Sequence, residues 1–280
     1  MNRLTIKKGN IKYDMNIEYV KYCLGFNYEE KFNFMKILKE ACLHPKESEY
    51  TQNNTGHAQV LINDEIINPK TIQYFHVSTD YSLLSDLKLT SQSIVAKYLE
   101  VLISQNDNTD TINTINLLLE SFSSELDSDI ILSRFITYTP KQFLKILLPV
   151  FLKEEEQANE YDLTYEELIL LQLKMIDFIS KNQIEKARVM NLIEIPVLTR
   201  TINDYLNIMN QCLSIIILNN TKIELDINHI YLFDHLCFDL NDENILYNVF
   251  LEKGICTLQE AKAEMKKLIN NKLDMSIINR

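Results

Sequence analysis

The sequence predicts an α/β fold interrupted along the chain by an all-helical insertion. Three observations carry this. Over residues 3–78 apolar and polar residues alternate as they do in half-buried strands. From 91 to 211 the apolar spacing changes to three and four, the period of helices. A β-branched run, Cys212-Leu213-Ser214-Ile215-Ile216-Ile217-Leu218, then returns. It is too short for a domain of its own and reads as a partner of the N-terminal strands. The expected division is a discontinuous α/β domain, 1–88 plus 206–280, around a helical domain, 89–205.

The elements follow in order. Leu4 and Ile6, then Ile11, Tyr13, Met15 and Ile17, alternate on either side of Lys8-Gly9-Asn10, which predicts a hairpin. Phe32, Met35, Leu38 and Cys42 predict a helix over 28–42. Proline, serine, asparagine and glycine over 45–57 predict a loop, and strands are expected at 58–67 and 71–78. Helices are expected at 91–105, 110–122, 129–136, 140–154 with a kink at Pro149, 164–181 and 198–211, and after the 212–218 strand at 226–237, 242–253 and 257–272.

Composition bounds the chemistry. With 46% hydrophobic and 24% charged residues, the chain can bury a core and stay in solution. The start, Met1 to Lys8, has no apolar signal region, and no apolar run reaches the roughly 18–20 residues of a membrane helix. A cytoplasmic protein is expected. The cysteine count is odd and no Cys-x-x-Cys occurs, so neither a disulfide framework nor a zinc site is suggested. Only four glycines are present, and neither G-x-G-x-x-G nor G-x-S-x-G occurs, which argues against a nucleotide-using enzyme and a serine hydrolase. The net charge of −11 speaks against a nucleic-acid binder unless the charge is segregated by region.

One stretch raises the question of a nucleotide site directly. In Gly25-Phe26-Asn27-Tyr28-Glu29-Glu30-Lys31-Phe32, at a strand-to-helix junction, Gly25 and Lys31 keep the register of a phosphate-binding loop. Glu30 stands at the second glycine and Phe32 at the metal-binding hydroxyl. Acids would sit where phosphates must, so no ATP hydrolysis is expected, and Lys31 reads as a solvated helix residue. The best candidate strand for a metal-binding acid, Ile215–Leu218, ends in Asn219-Asn220.

Two charged stretches remain. In the run from Lys153 to Glu167, Thr164 and Glu167 fit a capping box at a helix start. The same clustered carboxylates would also suit calcium, which takes several oxygen ligands. Arg3, Lys7, Lys8 and Lys12 lie in the first hairpin with no acid before Asp14, and Lys262, Lys266, Lys267 and Lys272 lie on the last helix.

In element order over about 1–250, the chain resembles the accessory ring protein of type II-A CRISPR–Cas systems, a non-nuclease factor of spacer acquisition. The resemblance rests on three stretches: the first hairpin leading into Tyr28–Ala41; Thr71-Ile72-Gln73-Tyr74-Phe75-His76-Val77-Ser78-Thr79-Asp80 followed by Leu89-Thr90-Ser91-Gln92; and Asn159-Glu160-Tyr161-Asp162-Leu163-Thr164-Tyr165-Glu166-Glu167 with the apolar residues after it. It implies a degenerate P-loop-ATPase-like α/β head with an inserted all-α leg. It implies a homotetramer ring, held by Ca2+ near the legs, that threads double-stranded DNA from its ends without sequence preference. No catalytic activity is implied, and the other CRISPR adaptation proteins are the implied partners. Carried over by position, Glu160, Asp162, Glu166 and Glu167 are the calcium candidates. Lys7, Lys8 and Lys12 are the DNA candidates. The contrasting expectation is an acidic protein–protein adaptor that does not bind DNA.

Overall fold

The computed structural model describes residues 2–43, 57–90, 92–183, 187–221, 223–251, 254 and 257–270. It is a mixed α/β structure that divides into two compact units, Met1–Thr79 with Ala187–Arg280, and Asp80–Lys186.

The first unit holds two sheets. One has four antiparallel strands in the order β2 (Ile11–Ile17), β1 (Asn2–Lys8), β4 (Gln59–Ile62), β5 (Glu65–Ile66). The β1–β2 hairpin turns at Gly9, whose positive φ suits the tight turn. The other sheet has six strands in the order β12 (Cys237–Asp239), β11 (Ile230–Phe233), β3 (Val20–Leu24), β10 (Cys212–Thr221), β9 (Arg188–Leu198), β6 (Ile72–Ser78). All of its pairings are parallel except β11 with β12. The 212–218 run does join the N-terminal strands, with Ser214 in register with Val20.

Helix α1 (Tyr28–Leu43) supplies Phe34, Ile37, Leu38 and Ala41 to a core shared by residues of both sheets, including Leu4, Ile6, Met15, Leu192, Ile215 and Phe233. Within it the rings of Tyr13, Phe34 and Phe233 meet at 5.2–5.9 Å, with Tyr231 4.9 Å from Phe233. Edge-on and tilted ring pairs of this kind add about 0.5–1.5 kcal/mol each to the area they bury. A buried ion pair ties the sheet edge to this core. Lys21 Nζ lies 2.5 Å from Asp239 Oδ1, and Asp239 also accepts from the N–H groups of Asn16 and Asn241.

Three expectations differ from the structure here. Residues 188–198, read as part of the helical domain 89–205, form β9 of the six-stranded sheet. Residues 226–237, expected as a helix, contain a short 3-10 turn at Ile227–His229, then strand β11. Four consecutive apolar residues, Ile230-Tyr231-Leu232-Phe233, are the pattern of a parallel strand buried on both faces, where alternation disappears. Lys31 is not solvated but 2% exposed. The loop expected over 45–57 lies, His57 apart, outside the described residues.

The second unit is helix-rich: α2 (Leu83–Asp86), α3 (Ile94–Ile103), α4 (Asn106–Glu125), α5 (Pro140–Leu144) and α6 (Tyr165–Asn182), with a two-residue hairpin of β7 (Leu152–Lys153) and β8 (Glu156–Gln157). Asp86 caps α3 by accepting from the N–H groups of Ile94 (3.1 Å) and Val95 (2.8 Å), and Tyr98 of α3 meets Phe178 of α6 at 4.8 Å. The helix expected at 129–136 is absent. The Asn116 amide holds that region's continuation in extended form, donating to Tyr138 O (2.9 Å) and accepting from its N–H (2.7 Å). The helix expected over 140–154 is only the short α5. In the remainder of the first unit, α7 (Arg200–Ile208), α8 (Glu243–Leu251) and α9 (Leu258–Asn270) complete the described residues.

Candidate functional site

The strand-to-helix junction is the first site to build. Strand β3 ends at Leu24, and the chain turns through Gly25 at φ +111, a value only glycine tolerates well. A Cβ at this position would lie 1.9 Å from the carbonyl oxygen of Phe233, the last residue of the neighbouring strand. The turn is thus pressed against β11. Its donors are spent internally: Asn27 N–H goes to Phe233 O (3.1 Å), the Asn27 amide to Asp234 O (3.1 Å), and Glu30 N–H to Asn27 Oδ1 (3.1 Å). A phosphate cradle needs these N–H groups free.

Lys31 is spent as well. Its ammonium donates to Leu218 O at 2.6 Å and lies 5.7 Å from the Tyr28 ring centroid. It ties α1 to the interior of strand β10 rather than facing an anion. Burial pushes its pKa down to about 8, slightly offset by the neighbouring Cys23. Between about pH 8 and the ordinary lysine value near 10.4, the unfolded chain holds a proton that the folded chain has released, so stability rises with pH across that window. Lys31→Met is expected to flatten this rise, which thermal melts at about pH 7.5, 8.5 and 9.5 would measure. An unchanged slope would count against the buried ammonium.

An acid at a strand end is present after all, hidden in the sequence by the helix expected over 226–237. Asp234 follows β11, is 9% exposed, and its Oδ2 has no hydrogen-bond partner among the described residues. Glu30 lies close by, accepting from Tyr13 OH at 2.6 Å. Burial first, then the Glu30 and Asp234 charges, push the Cys237 thiol up to about 11. The field beside the turn is negative and the lysine faces away. This arrangement repels phosphate.

The three lysines of the first hairpin part company. Lys7 and Lys12 are directly opposite in the β1–β2 register, on the face that also carries Thr5 and Asp14. Lys8 alternates with Leu4 and Ile6 onto the α1 side, where its ammonium lies 2.8 Å from both carboxylate oxygens of Glu40. Lys12 bonds Asp14 at 2.6 Å, and Arg3 reaches Asp14 (3.4 Å) and Asp64 (3.8 Å). Burial alone would raise the Asp14 carboxyl. Hydrogen bonds from Lys12 and Thr5, with the charges of Lys12 and Arg3, outweigh it and hold Asp14 below the usual carboxylate range. Lys262, Lys266 and Lys267 are each paired with an acid, Glu243, Glu224 and Glu264, while Lys272 lies outside the described residues.

The acidic candidates sit around a 3-10 turn, Glu160–Asp162, and the start of α6, whose first turn carries Glu166 and Glu167. Asp162 accepts from Asn159 N–H at 2.9 Å in one capping box, and Glu167 from Thr164 N–H at 2.8 Å in the next. The second box is the one expected from Thr164 and Glu167. Bonds from the Thr164 N–H and then from Lys153 bring the Glu167 carboxyl down to about 2. Glu160 is also held below its usual range, by its own N–H, against a burial cost, and by donors of Ser82, Leu84 and Leu83. As a donor set these oxygens suit a hard divalent ion, and the Lys153 ammonium already sits among some of them. They do not converge on one point, and among the described residues no group of three or more acidic, histidine or cysteine side chains is arranged to hold a metal.

Among the described residues, no helix is long and apolar enough to cross a membrane. No protein-family model matches the chain, and none of the curated proteins does. Among solved structures, the chain is similar to the crystal structure of Stu0660 of Streptococcus thermophilus, with 16% of residues identical, 89% of this chain and 80% of that chain covered, and a TM-score of 0.60. At that identity the likeness is one of fold.

Proposed function

We propose that the chain is a non-enzymatic subunit of a ring that binds the ends of double-stranded DNA without sequence preference and serves CRISPR spacer acquisition. In this reading the first unit is a degenerate P-loop-ATPase-like head and the second its inserted leg, four subunits close the ring, and other CRISPR adaptation proteins dock on it. The filled junction carries the reading. Gly25 is pressed onto Phe233, Lys31 is spent on Leu218 O, and acids flank the turn, so the junction offers no anion site, which is what a degenerate phosphate loop would look like. The fold shared with Stu0660 of Streptococcus thermophilus supports the architectural part of the reading alone, a mixed α/β structure. Calcium belongs to it as the assembly ion, with Glu160, Asp162, Glu166 and Glu167 as the residues that would hold it.

In this reading DNA contact falls to Lys7 and Lys12, the cross-strand pair, with Lys12 leaving Asp14 to reach a phosphate; Lys8, on the other face beside Glu40, takes no part. Such contacts go to phosphates and carry no base information. The test is fluorescence anisotropy with a blunt linear duplex and a covalently closed circle. The linear duplex is expected to bind and the circle not. Lys7→Glu with Lys12→Glu should weaken binding by about tenfold or more and lower its salt dependence, while Lys8→Gln leaves it unchanged. Equal affinity for closed circles would sink the threading idea.

A second reading has its own observation. The helix-rich unit exposes Ile130 and Leu148 at 90%, Ile136 at 81% and Leu132 at 74%, far more than scattered surface leucines. This favours a protein–protein adaptor, which predicts no DNA binding at any calcium concentration.

A further inference from the structure

Helix α1 is inverted at one point. Lys31 is buried, while its neighbour Phe32 is 60% exposed. The buried lysine has its reason in the Leu218 carbonyl. The exposed ring has no ring partner among the described residues. It belongs to a stripe. Glu29, Phe32, Lys36, Lys39 and Leu43 follow one another at alternating spacings of three and four, and all five are exposed. Such a line of residues is the seam along which two helices pack. The opposite side of α1, with Phe34, Ile37, Leu38 and Ala41, is already used in the core, so the seam is a second packing face. Among the described residues, Glu29, Lys36 and Lys39 make no side-chain hydrogen bond or ion pair. Phe26, just before the helix, and Tyr28, its first residue, are exposed beside them.

We propose that this stripe is a two-fold interface with a second copy of the chain, the two α1 helices running antiparallel about a point between Phe32 and Lys36. Charge selects that occupant. The acid lies toward the N-terminal end of the seam and both bases toward its C-terminal end. Reversing one helix against its twin sets Glu29 of each copy opposite Lys39 of the other, with Lys36 about one turn away. The same register sets Leu43 against Phe26, and lays Phe32 along the aliphatic stem of the twin lysine at 36. A parallel pairing would instead bring like charges together, which disfavours it. A two-fold contact is self-complementary, so every one of these pairings occurs twice. The inference rests on the assembly part of the proposed function, of which it names one contact, and needs neither the DNA nor the calcium part.

The test is light scattering after size exclusion of the full chain, in calcium-containing buffer, with circular dichroism to check native helix content. Wild type is expected to self-associate. Glu29→Lys in one variant, and Lys36→Glu with Lys39→Glu in another, should each loosen this contact by about tenfold or more, read as a lower mass at equal concentration. Mixed one to one, the two variants should associate again. The three positions are then all positive on one copy and all negative on the other, so every pairing across the two-fold regains opposite signs. A misfolded variant does not give that rescue, and neither does a stripe that serves a different protein. A mixture that stays apart would overturn the contact. So would association that neither variant weakens, which leaves the assembly to another face. A wild-type chain that stays monomeric up to about 100 µM would bring down the assembly reading and this contact together.

Discussion

Gly25→Ala should unfold or nearly unfold the α/β unit. The new Cβ would sit 1.9 Å from Phe233 O and 2.6 Å from its carbonyl carbon, both backbone atoms of a buried strand that cannot step aside. The φ of +111 adds strain that an L residue relieves only by rotating the turn, which breaks the Asn27 N–H bond to the same Phe233 carbonyl. Together these should cost about 4 kcal/mol or more, at the exceptional end for a single substitution. Gly254→Ala is the matched comparison. Its φ is also left-handed (+78), yet nothing lies within 4 Å of where the new methyl would sit. Only about 1–2 kcal/mol is expected there. Urea melts of the two variants separate clash from dihedral strain. A Gly25→Ala loss no larger than that of Gly254→Ala would mean that β3 and β11 are not packed as described. The chain has no tryptophan, so hydrogen exchange of the 20–24 and 230–233 peptides is the direct readout.

The second large effect is expected at Lys21→Met. Lys21 is fully buried beside Asp239, which is itself 4% exposed. Burial lowers the Lys21 pKa and the Asp239 charge works against that shift. Removing the ammonium leaves a carboxylate in the core with only the N–H groups of Asn16 and Asn241 as partners among the described residues. Breaking one side of a buried pair costs about 3–5 kcal/mol, whereas replacing both sides is often close to neutral. Lys21→Met with Asp239→Asn should therefore recover much of the loss. If the double variant is as unstable as the single one, the penalty comes from shape rather than from a stranded charge.

Much of the fold is legible in the residues, and the failures have physical reasons. The β1–β2 hairpin and α1 follow from periods of two and about 3.6, because each has one buried and one wetter face. Strand β11 has two buried faces, so its period vanishes and the same four residues fit a helix. Strand β9 is obscured by Asn191, Glu194 and Pro196. Asn191 is buried and donates to Ser214 Oγ at 3.3 Å, and Glu194 sits beside His76 at 3.3 Å. Pro196 falls beyond Ser78, where β6 has ended, so its missing N–H costs no ladder bond on that side. At the candidate sites, charge is readable but direction is not. Lys7 and Lys8 are adjacent in sequence and therefore on opposite faces of a strand. Lys31 reads as solvated because its partner, the Leu218 carbonyl, is 187 residues away in the chain. Lys153 carries no signal of its own, because its partners depend on a turn whose two residues, both glutamate, do not mark a turn.

The pairing of β6 with β9 places Ile72 opposite Arg188, so the crossover between these parallel neighbours is the entire helix-rich unit. Thermodynamically a long excursion is cheap, since each doubling of loop length adds only about 0.6 kcal/mol of closure entropy. Kinetically it is not, because contacts this distant in sequence form late. Strands β1 and β2 with α1 can collapse early, but β3 and β6 must wait for their sheet partners, β9, β10 and β11, until the insert has been passed. Emerging from a ribosome, the chain would hold an unpaired β6 edge exposed through the synthesis of the whole insert. Aggregation during synthesis, rather than instability of the finished protein, is then the hazard this architecture has to manage.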